Sequence, residues 1–338
     1  MRFLRLSIIL LICAVSAGFS QTIKFATYNI YFLDDGINVE RKANLRAVLN
    51  TLDADVIGFQ EIQDREALEN ILNDDYEIAF IDDPNEVQEL GLAVKKPFTI
   101  LSQKYAFPDT AHNFAFPRKR DVLVAEIEGH GQQFTVMVHH AKSRSGGRNN
   151  NDARREEASA MMVDYIRNEL AGKNVVILGD FNDTPDDKSA NILEYGDRNA
   201  VGGIDEQEDT FMFNTTEQLL AQEHCSFGYS FMFQDSTIGE TFDPTVPGAR
   251  AENNKWRGVD HDYFNDVEIK ETLLDQIFIS IHLKENVVAA GVFNYAVAVK
   301  GSRSRIRFEE QGLVYTERGS LASDHIPVWV ALEFGDSE

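Results

Sequence analysis

Residues 175–183 read VVILGDFND. An apolar run reaches Gly179, and Asp180, Asn182 and Asp183 follow at once. A short continuous apolar run closed by a turn signal is the pattern of a central strand covered on both faces. Polar groups at the end of such a strand are costly unless they are hydrogen-bonded, ion-paired or bound to metal. The carboxyl ends of strands in α/β sheets are also where ligands sit. Taken alone, the stretch supports two readings: a strand running into an Asx-type turn, or one wall of an active site.

Outward from it, the chain alternates between two periods. Upstream, NNDARREEASAMMVDYIRNELAGK (150–173) reads as a helix with Asn or Asp at its start and Gly172 near its stop. Before that, DVLVAEIEGHGQQFTVMVHHAKS (121–143) reads as a hairpin turning at Gly129–Gly131. The N-terminal third offers a strand KFATYNIYFL, a helix VERKANLRAVLNTL, a strand DVIGFQEI, a short helix DREALENILN, and the alternating YEIAFID and GLAVKKPFTIL. Downstream, a less regular stretch runs from about 184 to 272, and LLDQIFIS, VVAAGVFNYAV and IPVWVALEF follow as strands. Strands alternate with helices and hairpins are mixed in, which is an α/β chain with mixed sheets. No glycine-rich dinucleotide or P-loop pattern is present.

The N-terminus predicts location. MRFLRLSIILLICAVSAGFSQ places Arg2 and Arg5 before an apolar run and small residues, the layout of a secretory signal peptide cut after Ala17 or Ser20. Residues 1–20 are expected to be removed, leaving 21–338 as a single secreted or periplasmic catalytic domain. The apolar run is short for a membrane span, and Ile12 precedes Cys13 where a lipoprotein signal wants a small residue. Cys225 is the only other cysteine and is left without an intramolecular partner. The formal net charge is −23, a surface that repels nucleic acid and anionic lipid at long range and argues against a structural DNA-binding protein. It leaves room for an enzyme with a locally basic cleft: Arg118, Lys119, Arg120, Lys142, Arg144, Arg148, Arg154 and Arg155 gather within one segment.

Polar residues that a core would avoid recur at strand ends. They are Asn29 in ATYNIYFL, Glu61 in GFQEIQ, His140 in VMVHHAKSR, Asp180 and Asn182 in LGDFND, and Asp275 in LLDQIFIS, with Asp324 and His325 in SDHIPVWV just before the last strand. This ordered set resembles the endonuclease/exonuclease/phosphatase superfamily, on its deoxyribonuclease I-like, secreted bacterial nuclease side. GDFN, and SDH with the preceding LDQ, are its most specific pieces, and the resemblance runs from about residue 23 to 334. It implies a four-layered α/β sandwich, two mixed β-sheets packed face to face with helices outside.

It also implies roles. Hydrolysing a phosphate ester needs an activated water, a Lewis acid and donors for the transition-state charge. Glu61, with Asn29 beside it and Asp324 as a further ligand, is expected to hold magnesium or manganese through oxygen. Asp180 matches the residue that orients or deprotonates the attacking water, and Asn182 the one that hydrogen-bonds a phosphoryl oxygen. His325 is expected on the phosphate, held by Asp275. His139 and His140 point to opposite faces of one strand. His140 is the candidate general acid and His139 the structural one. Arg120, Lys142 and Arg144 are candidate phosphate contacts.

The expected substrate is nucleic acid, DNA foremost, with no stable protein partner implied. A sphingomyelinase-like lipid phosphodiesterase and a small-molecule phosphomonoesterase are the alternatives. For the lipid reading, SFGYSFMF (226–233) places Phe227, Tyr229, Phe231 and Phe233 on one side, a face that equally suits a core. Arg303, Arg305 and Arg307 suit either a phosphate strip or a charged edge strand. Asp260, His261 and Asp262 suit a second metal or an exposed loop, and acidic loops such as DDYEIAFIDDPNE offer a structural calcium site without EF-hand spacing.

Overall fold

The structure is a computed structural model. It describes residues 20–83, 86–117, 120–144, 149–203, 207–222, 224, 226–227, 273–293, 306–309, 312–315 and 322–335, of which 149–150, 306–309 and 312–315 as backbone. The signal-like segment 1–19, Cys225, Asp260 to Asp262, Arg303, Arg305 and most of SFGYSFMF lie outside the described residues, as does the side chain of Arg307.

β1 (Gln21–Leu33) leads through α1 (Val39–Leu52) into β2 (Val56–Ile62), parallel to β1. Asn38 caps α1 by accepting from the Arg41 N–H, and Leu45, Val48, Leu49 and Leu52 form its buried stripe at helical spacing. After the five-residue α2 (Arg65–Glu69), β3 (Tyr76–Phe80) and β4 (Glu89–Lys95) extend the sheet antiparallel. β5 (Thr99–Tyr105), β6 (Leu123–Gly129) and β7 (Gln132–His140) form an antiparallel meander in a second sheet. α3 (Asn149–Glu169) then returns the chain to β8 (Val175–Asp180), parallel to β7. α4 (Lys188–Tyr195), β9 (Met212–Asn214), α5 (Glu217–Ala221), β10 (Asp275–Ser280), β11 (Val287–Val292), the hairpin β12 (Ile306–Glu309) and β13 (Gly312–Tyr315), and β14 (Val328–Phe334) complete the described chain.

The two principal sheets have six strands each, ordered β11-β14-β1-β2-β4-β3 and β5-β6-β7-β8-β10-β9. Each carries one parallel pair, β1 with β2 and β7 with β8, among antiparallel neighbours. The strand that opened the sequence reading is buried on both faces by alternation. Val176 and Leu178 enter the core shared by the two sheets, and Val175 and Ile177 pack with Ala158, Met162 and Ile166 of α3. Two mixed sheets face to face with helices outside are thus the architecture of the molecule. The sheets approach closely at Gly58 of β2, where a Cβ would lie 1.8 Å from Leu178 Cδ1 of β8.

Two stretches differ from the sequence reading. GLAVKKPFTIL is not one strand: the chain turns at Lys96–Pro97, with Phe98 N–H donating to Lys95 O (2.9 Å), and its halves belong to different sheets. Pro97 has no N–H to continue a ladder, so the alternation on its two sides belongs to β4 and β5 separately. The stretch from 184 holds α4, β9 and α5, elements of eight residues or fewer. Their apolar residues are too few to display a period.

Candidate active site

The carboxyl ends of both parallel pairs lie at one rim, and the β1–β2 end is irregular there. Pairing of β1 with β2 breaks between Asn29 and Leu33, and pairing of β2 with β4 breaks between Gln60 and Ile62. Bulges of this kind re-aim side chains. Tyr31 (φ 51°), Phe32 (φ 47°), Glu61 (φ 63°) and Asn182 (φ 51°) all adopt the left-handed backbone that non-glycine residues rarely use. Such strain collects at functional sites when the surroundings over-determine it. The surroundings here include Arg41, whose buried guanidinium donates to the carbonyls of Ile30 and Tyr31 and, at 3.0 Å, to Ala322 O beside the Asp324–His325 turn.

Asp180 is the hub. Its Oδ2 accepts from Asn29 Nδ2 (3.1 Å) and Asn182 Nδ2 (3.2 Å), and its Oδ1 from the Asn182 N–H (2.8 Å). His140, opposite Asp180 across the β7–β8 pair, places Nε2 3.6 Å from Asp180 Oδ2 and 3.7 Å from Glu61 Oε1. His325 Nε2 stands 3.8 Å from the same Asp180 oxygen. Its Nδ1 bonds Asp275 Oδ2 at 2.7 Å, and Asp275 lies in register with Asp180 on the neighbouring strand. Ser226 Oγ also donates to Asp275 Oδ2 (2.6 Å), and Phe227 packs on the His325 ring at 4.7 Å between centroids. Ser323 holds the turn from inside, accepting from the His325 N–H (3.1 Å) and donating to Asn29 O (2.7 Å). Asn29, Glu61, His140, Asp180, Asn182, Asp275 and His325 are therefore brought together, from both sheets. Asp324 adjoins them, and its charge acts on both Glu61 and His325.

The electrostatics follow from burial and these neighbours. Burial disfavours charge on His325, but Asp275, through its charge and hydrogen bond, overrides it with Asp180 and Asp324 and pushes the imidazole up to about 10. His325 is thus a cation with Nδ1–H committed to Asp275. Burial raises Asp180 to about 6 although the His325 charge opposes it. Burial and the Asp324 carboxylate raise Glu61 to about 7, with Asp180 adding to the push and His325 opposing it. Burial and the Arg120 charge hold His140 well below the ordinary imidazole range, so it is neutral. His139, on the opposite face, packs against Phe116 and Phe181 at 6.0 and 5.2 Å and is lowered to about 3 by burial, then by Arg120.

The three basic candidates are placed differently. Arg120 is buried and donates to Gln88 Oε1 and, at 3.1 Å, to Ala141 O. Arg144 donates to Asn182 O (2.6 Å) and pairs with Asp187 (2.8 Å) and Asp183 (3.3 Å), so it braces the Asn182 turn. Lys142 Nζ donates to Ser143 Oγ at 3.3 Å. Sequence reasoning missed Gln88, Arg41 and Ser226, and it placed Arg155 in the basic segment without its partner: the side chain is buried and pairs with Asp183 at 2.7 Å beneath the same turn. An arginine on the polar side of a helix gives no sign in sequence that a buried carboxylate awaits it. The run Asp183–Asp187 beside GDFN was the available signal.

A divalent cation fits this donor set. Glu61 Oε2 is buried with no hydrogen-bond partner among the described residues, and the Asp324 and Asp180 charges press on the same carboxylate. Among the described residues no three His, Cys, Asp or Glu side chains form a preformed metal cluster. Hard cations that retain several waters need only one or two carboxylates. Glu61, with Asn29 and Asp324 near it, would hold such an ion.

The comparisons agree with this architecture. The chain resembles D. rerio TDP2 complexed with single-strand DNA product (17% identity, TM-score 0.54, covering 92% of this chain and 98% of that one). It also resembles the human Nocturnin catalytic domain with bound sulfate (15%, 0.53, 94% and 98%) and an endonuclease/exonuclease/phosphatase family protein from Bacteroides thetaiotaomicron (15%, 0.54, 94% and 99%). At these identities the likeness establishes the fold. No curated protein matches the chain. A family model described as Endonuclease/Exonuclease/phosphatase family matches residues 38–239. The chain belongs to the endonuclease/exonuclease/phosphatase family, whose members are hydrolases of phosphoester bonds.

Proposed function

We propose that the chain is an exported, divalent-metal-dependent phosphodiesterase that hydrolyses nucleic-acid backbones, DNA foremost, with residues 1–20 as its signal peptide and 21–338 as one catalytic domain. The observation that carries the reading is the buried Asp275–His325 pair (2.7 Å) aimed at an Asp180 held by two amides. One fixed cation, one oriented carboxylate and one neutral imidazole converge there.

Magnesium or manganese bound at Glu61 would supply a Lewis acid for a phosphoryl oxygen. Everything else falls to side chains of the chain. Asp180 orients the attacking water and takes its proton, its carboxylate held in place by hydrogen bonds from Asn29 and Asn182. His325 donates Nε2–H to the phosphoryl group and stabilises its added charge. Asn182, turned by its left-handed backbone, holds its Nδ2 between Asp180 Oδ2 and Ala141 O (3.2 Å each), and exchanging the Ala141 bond would let it donate to the same group. His140 serves the leaving oxygen: the arriving phosphate anion raises its proton affinity. Lys142 is a candidate contact for flanking phosphates.

A nucleic-acid substrate is supported by the similar D. rerio TDP2, which was solved with a single-strand DNA product. The lipid alternative draws on the aromatic face that begins at Phe227, and Phe227 itself is a wall of the site against His325. The test is a parallel assay of purified residues 21–338 in magnesium, with and without chelator, on supercoiled plasmid, sphingomyelin and a chromogenic phosphomonoester. Plasmid nicking is expected, abolished by chelator and lowered about a thousandfold or more in Asp180→Asn. Turnover of sphingomyelin or the phosphomonoester alone would reassign the substrate, and a fully active Asp180→Asn protein would end the mechanism.

A further inference from the structure

We propose that Gln88 is a positioning residue for Glu61: it holds one oxygen of that carboxylate, ties it to the buried Arg120, and leaves the other oxygen for the cation. The inference rests on the reading of Glu61 as the metal-binding carboxylate.

Gln88 immediately precedes β4 and is 8% exposed. Its Nε2 donates to Glu61 Oε1 at 3.2 Å, and its Oε1 accepts from Arg120 Nη2. The amide has one permitted orientation. A guanidinium only donates and a carboxylate only accepts, so the oxygen faces Arg120 and the nitrogen faces Glu61. Arg120 is anchored in turn, donating through Nη1 to the carbonyl of Ala141, the residue after His140 (3.1 Å). A continuous path thus runs from the end of β2, through the segment ahead of β4, to the end of β7 in the other sheet.

The two oxygens of Glu61 have different fates on this path. Oε1 accepts the Gln88 amide and also lies nearest His140. Oε2 is buried with no hydrogen-bond partner among the described residues. A buried acceptor without a donor is destabilising, and a cation removes that deficit. Because Glu61 lies on a left-handed bulge rather than in a regular strand, its ladder does not fix its direction. Gln88 supplies a constraint from the β4 side, while the Asn29 side chain acts on the same carboxylate from β1, as outer-shell partners of metal ligands do. Arg120, expected from sequence on the phosphate, acts instead behind Glu61.

The test is Mn2+ binding to residues 21–338 without substrate, read by electron paramagnetic resonance of the free ion, with thermal melts confirming folding. Wild type, Gln88→Leu, Arg120→Met, their double variant and Glu61→Gln are compared. Gln88→Leu is expected to weaken Mn2+ about tenfold or more. Arg120→Met is expected to weaken it less, and the double variant no further than Gln88→Leu, because both act through one path. Unchanged Mn2+ affinity in Gln88→Leu, with binding lost in Glu61→Gln, would overturn the positioning role alone. Wild-type affinity in Glu61→Gln would overturn the metal assignment and this inference with it. Unchanged Mn2+ affinity in Arg120→Met, with a raised plasmid KM, would return Arg120 to the phosphate and remove the path. Were Gln88→Leu not to fold, Arg120→Met and Gln88→Asn carry the same comparison.

Discussion

His139 and His140 are neighbours in sequence with opposite surroundings, and the difference is one of parity along β7. His140 shares the inter-sheet face with Val136 and Val138, whereas His139 shares the helix-side face with Met137. Burial holds His139 at about 3, and its Nδ1 has no hydrogen-bond partner among the described residues. A depressed imidazole has a definite linkage sign. The unfolded chain protonates near 6.5 and the folded chain does not, so the stability His139 contributes is complete above about 6.5 and lost as pH falls toward 3. His139→Leu removes that loss. Urea unfolding of wild type and variant should show the variant gaining about 2 kcal/mol relative to wild type between about pH 7.5 and 5. A pH-independent difference would mean that His139 is not held neutral by the fold. At this scale the sequence was informative wherever a polar residue ended a buried run, as with Glu61, Asp180, Asn182 and Asp275. It was silent about the partners of Gln88 and Arg155, because these are 27 and 28 positions away and nothing local announces them.

At the scale of elements, β2 and β8 set the spacing on which the rim depends. A Cβ at position 58 would stand 1.8 Å from Leu178 Cδ1, 3.2 Å from Leu178 Cγ and 3.3 Å from Val138 Cγ2, all within the shared core. Gly58→Ala must therefore shift packed side chains or part the two sheets locally. A loss of about 1–3 kcal/mol is expected for such overpacking, measurable as a lowered Tm, with kcat reduced because Glu61 and Asp180 follow at the ends of these strands. An unchanged Tm would show that the inter-sheet core accommodates a methyl group there. The existence of β2, β7, β8, β10 and β14 was legible from apolar runs with polar ends. The division of 91–101 between two sheets was not, since an alternating pattern specifies faces without specifying the partner strand. The short elements after 184 escaped for want of length.

Taken whole, the molecule sets a formal charge of −23 against an anionic substrate. Arg144, Arg155 and Arg120, in its richest basic segment, bond carboxylates, carbonyls or an amide of the chain itself. Among the described residues of that segment, few cations are then left for flanking phosphates. Proteins with six to ten phosphate contacts lose about 10³–10⁵ in affinity between roughly 50 and 200 mM salt. Here kcat/KM on plasmid is expected to change by less than about tenfold over that interval, because screening relieves repulsion while it weakens the few contacts. A thousandfold fall would reveal a basic groove in the stretches that the structure does not describe. The α/β class with mixed sheets was legible in the alternation of periods, and the face-to-face sandwich followed from the family resemblance that the strand-end residues carry. The substrate groove was not, since 184–272 departs from the family pattern and offers no stretch that matches it.

The pairing of β1 with β14, Gln21 opposite Phe334, sets the first described strand beside the last described one. Asn29 is thus delivered by a ribosome well ahead of Asp324 and His325. A nascent or prematurely terminated polypeptide holds Glu61, His140 and Asp180 but not the imidazole that completes their rim. The rim is therefore complete only once β14 has docked beside β1, which makes closure of the first sheet and assembly of the site one event.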